Sequence, residues 1–153
     1  MGHNYRALAE QVYGIFTRGA VDELPQVFAA DYVEHELLPG STATGVAAVA
    51  EWVQMTSTGI SNVGYRIDSV VGSGNEVCCR VQLTGTHSGE LFGAPATGNQ
   101  IDVMIIDWVR LNDEGKVVEH WGAFHEGEFM AQLGMAPAEA STIDLTQRVN
   151  ATT

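Results

Sequence analysis

Asp107 stands in the middle of an apolar run, Ile101 to Arg110 (IDVMIIDWVR). A carboxylate buried there without a partner costs several kcal/mol, so any fold of this chain has to bring it one. The run that follows, Lys116 to His125 (KVVEHWGAFH), is separated from the first by the polar tip Leu111-Asn-Asp-Glu-Gly115, whose glycine accepts positive φ. Two alternating runs around such a tip predict an antiparallel hairpin. With Leu111 opposite Lys116, Val109 faces Val118, Asp107 faces His120 and Ile105 faces Gly122, all on one side by the two-residue period. A one-residue slip or a bulge in the turn sets Trp108 opposite His120 instead. Two readings of the acid and the imidazole stand at this point: a structural pair, or a general acid/base dyad at the floor of a cavity.

A chain of 153 residues builds one domain with a single substantial core. Hydrophobic residues make up 45% of it, yet no apolar run approaches the roughly 18 residues of a membrane span, so a soluble globular protein is expected. Seven Lys and Arg against nineteen Asp and Glu leave a formal charge of −12, which repels phosphate backbones and argues against nucleic acid as a partner. Met1 to Arg6 lack the basic and apolar regions of a secretory signal, and a cytoplasmic location is the expectation. Cys78 and Cys79 are adjacent in a strand pattern and point to opposite faces, which suits neither a disulfide nor a metal site.

Tyr5, Leu8, Ala9, Val12, Tyr13 and Phe16 mark one helical face, predicting a helix over 4–18 that ends at Gly19. A short second helix is expected at 21–29, then an extended segment Asp31-Tyr-Val-Glu-His35, a loop at Pro39-Gly40, and a third helix from Val46 to about Gly59. From Val63 the period becomes two: Val63, Tyr65, Ile67, Ser69 and Val71 share a side, followed by a Gly-rich turn and Val77, Cys79, Val81 and Leu83. A Gly-rich excursion over 84–98 precedes the hairpin and suits the rim of a pocket. Phe129, Met130 and Leu133 predict a last helical turn closed by Gly134 and Pro137. The domain is expected to span 1–137, with 138–153 as a loose C-terminal tail.

Helices first and a meandering sheet afterwards is an α+β order, and a curved sheet wrapped over three helices leaves a cone-shaped hollow. Three N-terminal helices pack in a curved, mostly antiparallel sheet around a central pocket for a small molecule. Several stretches then resemble the SnoaL-like polyketide cyclases, also called ester cyclases, of the nuclear-transport-factor-like cone fold. They are Phe28-Ala-Ala-Asp-Tyr-Val-Glu-His35, Leu83-Thr-Gly-Thr-His-Ser-Gly89, Pro95-Ala-Thr-Gly98, Gly115-Lys-Val-Val-Glu-His-Trp121 and Gln132-Leu-Gly134. The resemblance implies a small, cone-shaped α+β barrel that closes rings on tethered polyketide-like intermediates by a carboxylate and a histidine in an apolar cavity, with no metal or organic cofactor. The family's aldol cyclases carry an acid/base Asp directly after the His-Trp pair, where this chain has Gly122. Ether-ring or cycloaddition chemistry therefore enters beside aldol closure, and Gly122 leaves open space beside His120.

The expected catalytic residues are Asp107, His120 and His35, the last placed to reach the cavity as the chain leaves the second helix, although a capping role fits it equally. Tyr13, Phe16, Tyr32, Trp52, Met55, Tyr65, Ile105, Gly122 and Phe124 are the expected substrate wall. His87 is placed at the cavity rim and His125 on the opposite strand face from His120. The face carrying Met104, Ile106, Trp108, Trp121 and Ala123 is too apolar to stay wet, and a twofold homodimer would cover it. Against the cyclase stand two alternatives: a hydratase, epoxide-opening enzyme or isomerase on the same fold, and a non-catalytic small-molecule binding protein. A carboxylate buried in the sheet favours an enzyme, because a binder of apolar ligands gains nothing from it.

Overall fold

The computed structural model describes residues 4–135, so the domain end at 137 and the expected tail over 138–153 lie outside the described residues. Helix α1 (Tyr5–Arg18) starts where the Asn4 side chain accepts the Ala7 N–H at 3.0 Å and stops at Gly19, which takes φ 65°. It buries Ala9, Tyr13, Ile15 and Phe16. The expected second helix is instead a 3-10 turn at Val21–Gln26, with Pro25 inside it. Proline supplies no N–H to continue a helix. The chain is already extended at Phe28, and strand β1 runs Phe28–Glu34, three residues ahead of the expected segment. Helix α2 (Val46–Gly59) then leads into β2 (Ile60–Ser73), β3 (Glu76–His87), β4 (Gln100–Leu111), β5 (Val117–Phe124) and α3 (Glu126–Gln132).

The five strands form one curled sheet in the order β1-β5-β4-β3-β2. Among the described residues β1 and β5 run parallel, and the other neighbouring strands are antiparallel. Bulges in β2 at Ser61/Gly64 and Ile67/Ser69 break its expected alternation. Past the second bulge Val70 packs on the core, while Val71 is 67% exposed. The main core lies between α1, α2 and the concave sheet face, around Ile15, Leu24, Val53 and Val81. A second core gathers Ile60, Leu83, Leu91, Ile101, Phe129 and Leu133 beneath the Gly-rich excursion and α3.

The β4–β5 hairpin forms, with its register displaced by two residues from expectation. Asp107 faces Gly122, Val109 faces His120 and Trp108 faces Trp121. The turn explains the displacement. Asn112 Oδ1 accepts the N–H groups of Glu114 and Lys116, which draws Lys116 into the loop and makes Val117 the partner of Leu111. A register shift between Arg110 and Leu111 then adds a second residue on the β5 side, since Arg110 faces Glu119. Two single steps restore parity. Asp107 and His120 thus stay on one face as diagonal neighbours, close enough for long side chains to meet.

Candidate active site

The concave sheet face, α1, α2 and the segment after β1 enclose a cavity of about 170 Å³. Its wall is largely apolar, and its charged groups are Glu34, Glu36, Asp107, His120 and Glu126. The floor holds a connected chain of five side chains. His120 Nε2 lies 2.9 Å from Asp107 Oδ1, and its Nδ1 lies 2.6 Å from Glu34 Oε1. Each carboxylate also accepts a phenol: Tyr13 donates to Asp107 Oδ2 at 2.5 Å, and Tyr32 donates to Glu34 Oε2 at 2.5 Å. The Glu36 backbone N–H adds a hydrogen bond to Glu34 Oε1 at 2.9 Å.

The parallel pairing of β1 with β5 creates this arrangement, because it sets Glu34 directly beside His120. Tyr32 shares a strand face with Glu34 by the two-residue period and so falls on the cavity side with it. Helix α1 supplies Tyr13, whose ring stacks on Tyr65 at 5.8 Å and meets Phe16 edge-on at 5.9 Å. Aromatic packing thereby fixes the phenol that reaches Asp107.

Burial pulls the His120 imidazole toward its neutral form. The hydrogen bonds of Asp107 and Glu34, followed by their charges, outweigh that and push its pKa up to about 10. His120 is therefore an imidazolium at neutral pH and donates from both nitrogens. Burial first, and then the charge of Asp107, holds the Tyr13 phenol well above its ordinary range. Tyr32 is raised likewise by burial and the charge of Glu34, so both phenols stay protonated donors. Desolvation also lifts Tyr65 to about 12 and the Cys79 thiol to about 11. An imidazolium between two carboxylates gives the floor a formal charge of −1, held in an apolar surround.

Of the residues expected at the site, Asp107, His120, Tyr13, Phe16, Tyr32, Trp52, Tyr65, Ile105, Gly122 and Phe124 line the cavity. Trp52 and Tyr65 are joined through the indole N–H and the phenol oxygen at 3.0 Å, and the phenol donates on to Thr56 at 3.3 Å. His35 does not reach the cavity. Its strand parity is opposite to that of Tyr32 and Glu34, so it lies on the outer face, 2.8 Å from Glu119 and stacked on Trp121 at 4.9 Å. Met55 packs against the second core and is not part of the cavity wall. His87 does not rim the cavity either: it ends β3 fully buried, with Nδ1 2.9 Å from Thr97 Oγ1 and, among the described residues, no partner for Nε2. His125 precedes α3 and lies 3.2 Å from Glu128.

Sequence reasoning missed Glu34 and Glu36. A signal for Glu34 was present, since alternation within 31–35 groups it with Tyr32 and sets His35 on the other side. On that outer face Trp108 and Trp121, 47% and 37% exposed, lie directly opposite each other, with Arg110 over the Trp121 ring. Cys78 and Cys79 are both free thiols. Among the described residues no helix is long and apolar enough to cross a membrane.

The sequence profile of the SnoaL-like polyketide cyclases matches residues 6–133. Solved structures share the fold. TsrD from Streptomyces laurentii superimposes with a TM-score of 0.76 at 20% identity, covering 84% of this chain and 93% of its own. IdmH from Streptomyces antibioticus, described as a candidate polyketide cyclase, gives 0.74 at 26% identity over 87% of this chain and all of its own (100%). AclR from Streptomyces galilaeus, described as a candidate hydroxylase, gives 0.72 at 21% identity over 85% of this chain and 95% of its own. No curated protein sequence matches the chain.

Proposed function

Since this chain belongs to the SnoaL-like polyketide cyclase family, we propose that it closes a ring in a polyketide-like intermediate by acid/base catalysis, with Glu34, His120 and Asp107 acting as a unit. One observation carries the reading: an imidazole gripped by two carboxylates, each also holding a tyrosine hydroxyl, at the floor of an otherwise apolar cavity. Such a network is costly to bury and adds little to a site that only has to hold an apolar ligand. Its chemistry suits ring closure. Asp107 takes a proton from the nucleophilic carbon or hydroxyl of the substrate, and the freed electron pair forms the ring bond. The electrons displaced at the electrophilic carbon settle on its oxygen, to which His120 gives a proton. The proton on Asp107 then crosses the 2.9 Å hydrogen bond to His120 and restores the starting state. Glu34 does not touch the substrate in this cycle; it keeps the imidazole charged and oriented.

No cofactor enters the cycle, and carbon–carbon and carbon–oxygen closures are both served by it. The cavity volume of about 170 Å³ is below the roughly 300 Å³ at which pockets for whole drug-sized ligands begin. The reacting ring therefore enters while the rest of the substrate extends through the mouth. A homodimer through the face of Met104, Ile106, Trp108 and Trp121 belongs to the same proposal, because exposed aromatic side chains of this size dominate such interfaces.

The test is single-turnover conversion of the pathway intermediate by wild type, Asp107→Asn, His120→Ala and the double variant, with folding followed by circular dichroism. Each single change should slow the reaction by about 10²- to 10⁴-fold, and the double change should cost little more, because the two groups share one step. Folded variants that turn over at the wild-type rate would reduce the network to a structural role.

A further inference from the structure

The carboxylates of the floor are engaged by the protein's own donors. Asp107 and Glu34 each hold the imidazolium on one oxygen and a phenol on the other. Glu36 differs. It follows β1 in an exposed position, lines the cavity, and its carboxylate oxygens have no partner among the described residues. Its side chain runs past Gly122. A Cβ at Gly122 would come 3.2 Å from Glu36 Cγ, 3.1 Å from His120 Cε1 and 3.3 Å from His120 Nε2. The open space expected beside His120 is therefore narrower than a methyl needs: the bare glycine lets the Glu36 stem and the imidazole edge come together over one stretch of the cavity wall. Among the described residues no Lys or Arg lines the cavity.

We propose that Glu36 is a specificity-determining residue that takes a hydrogen bond from a hydroxyl of the substrate above Gly122, so that the site selects neutral, hydroxyl-bearing ring systems and rejects their carboxylate counterparts. The inference rests on the cyclase reading of the same cavity and names the kind of substrate it accepts. An ionised carboxylate only accepts hydrogen bonds, so a donor on the ligand satisfies it and an acid on the ligand repels it. With Glu34, Asp107 and Glu126 also on the wall, an entering anion meets four carboxylates and one imidazolium. A hydroxyl on a ring seated over Gly122 meets Glu36 beside the group that handles protons. Specificity of this kind is built as much from repulsion of the wrong ligand as from attraction of the right one.

Two naphthalene probes that differ in one substituent, hydroxymethyl or carboxylate, test the proposal by isothermal titration against wild type, Glu36→Gln and Glu128→Gln. Wild type should bind the alcohol about 10- to 100-fold more tightly than the acid, the span of one charge-assisted hydrogen bond. Glu36→Gln should weaken the alcohol, strengthen the acid and shrink that ratio to within a few-fold. Glu128, an exposed residue outside the cavity, carries the same charge, and Glu128→Gln should leave the ratio alone. Equal binding of both probes by wild type, an unchanged ratio in Glu36→Gln, or an equal change in Glu128→Gln would each overturn the proposal. Because the readout is binding, its failure is separate from a failure of the Asp107→Asn turnover test.

Discussion

Replacing Glu34 by Gln removes one of the two charges that hold His120 as an imidazolium and keeps the shape of the side chain. In an unfolded chain an imidazole titrates near 6.5, and in the folded protein this one is raised to about 10. At 1.36 kcal/mol per pH unit, the rise is worth on the order of 5 kcal/mol at most. Its sign follows from the direction. A folded pKa above the unfolded one means that the stabilisation is fully present below pH 6.5 and drains away as pH climbs toward 10. Cys79 and the buried tyrosines also favour their neutral forms in the folded state, and they begin to erode stability only where the unfolded thiol and phenols ionise, near pH 9 and above. The window from pH 6.5 to 9 is therefore where the contribution of His120 is lost, and the comparison with Glu34→Gln picks it out. Urea unfolding of wild type should show stability falling through that window, and Glu34→Gln should show a clearly shallower fall. In parallel, ¹⁵N spectra should show the His120 ring of wild type doubly protonated at pH 8 and that of the variant titrating at lower pH. A wild-type ring that is neutral at pH 8, or identical pH slopes for the two proteins, would refute the clamp.

Two further outcomes are expected. Trp121→Glu places a charge at the centre of the outer face and should convert a wild-type dimer to a monomer in sedimentation equilibrium; wild type at monomer mass would remove the interface from the account. Gly122→Ala should fold, because the flexible Glu36 side chain can yield, but its methyl lies 3.1 Å from an imidazole edge pinned by two hydrogen bonds. A loss of about tenfold or more in single-turnover rate is expected from that displacement, and an unchanged rate would mean that the imidazole position tolerates the shift.

The hairpin was legible because it is local: a polar tip, a glycine at φ 79° and two alternating runs lie within 25 residues of sequence. Its register was not, because that depended on Asn112 folding its own side chain into the turn and on a second one-residue step at the start of β5. Parity survived both steps, which is why Asp107 and His120 could be placed on one face from pattern alone. The partnership of Glu34 with His120 depends on a parallel strand pair whose members are 86 residues apart, a contact that no local periodicity encodes. His35 directly follows the strand through Glu34, not a helix, so alternation along the chain turns its side chain to the outer face. Met55 lies one helical turn beyond Trp52, where the excursion and its Leu91 cover α2 in place of the cavity.

Proton movement at the floor of the cavity while the ring closes is what separates an enzyme from a binding pocket here. Its most direct measurement is the single-turnover rate in H₂O, D₂O and their mixtures, for wild type and Asp107→Asn, with the pathway intermediate pre-bound. The cycle passes a proton from the substrate to Asp107, one from His120 to the substrate oxygen and one from Asp107 to His120, so wild type should slow in D₂O, with a rate that curves against deuterium fraction. Asp107→Asn should be far slower and should lose the curvature. Equal rates in the two solvents, with Asp107→Asn as fast as wild type, would contradict the account and leave a pocket that only folds its substrate into a reactive shape.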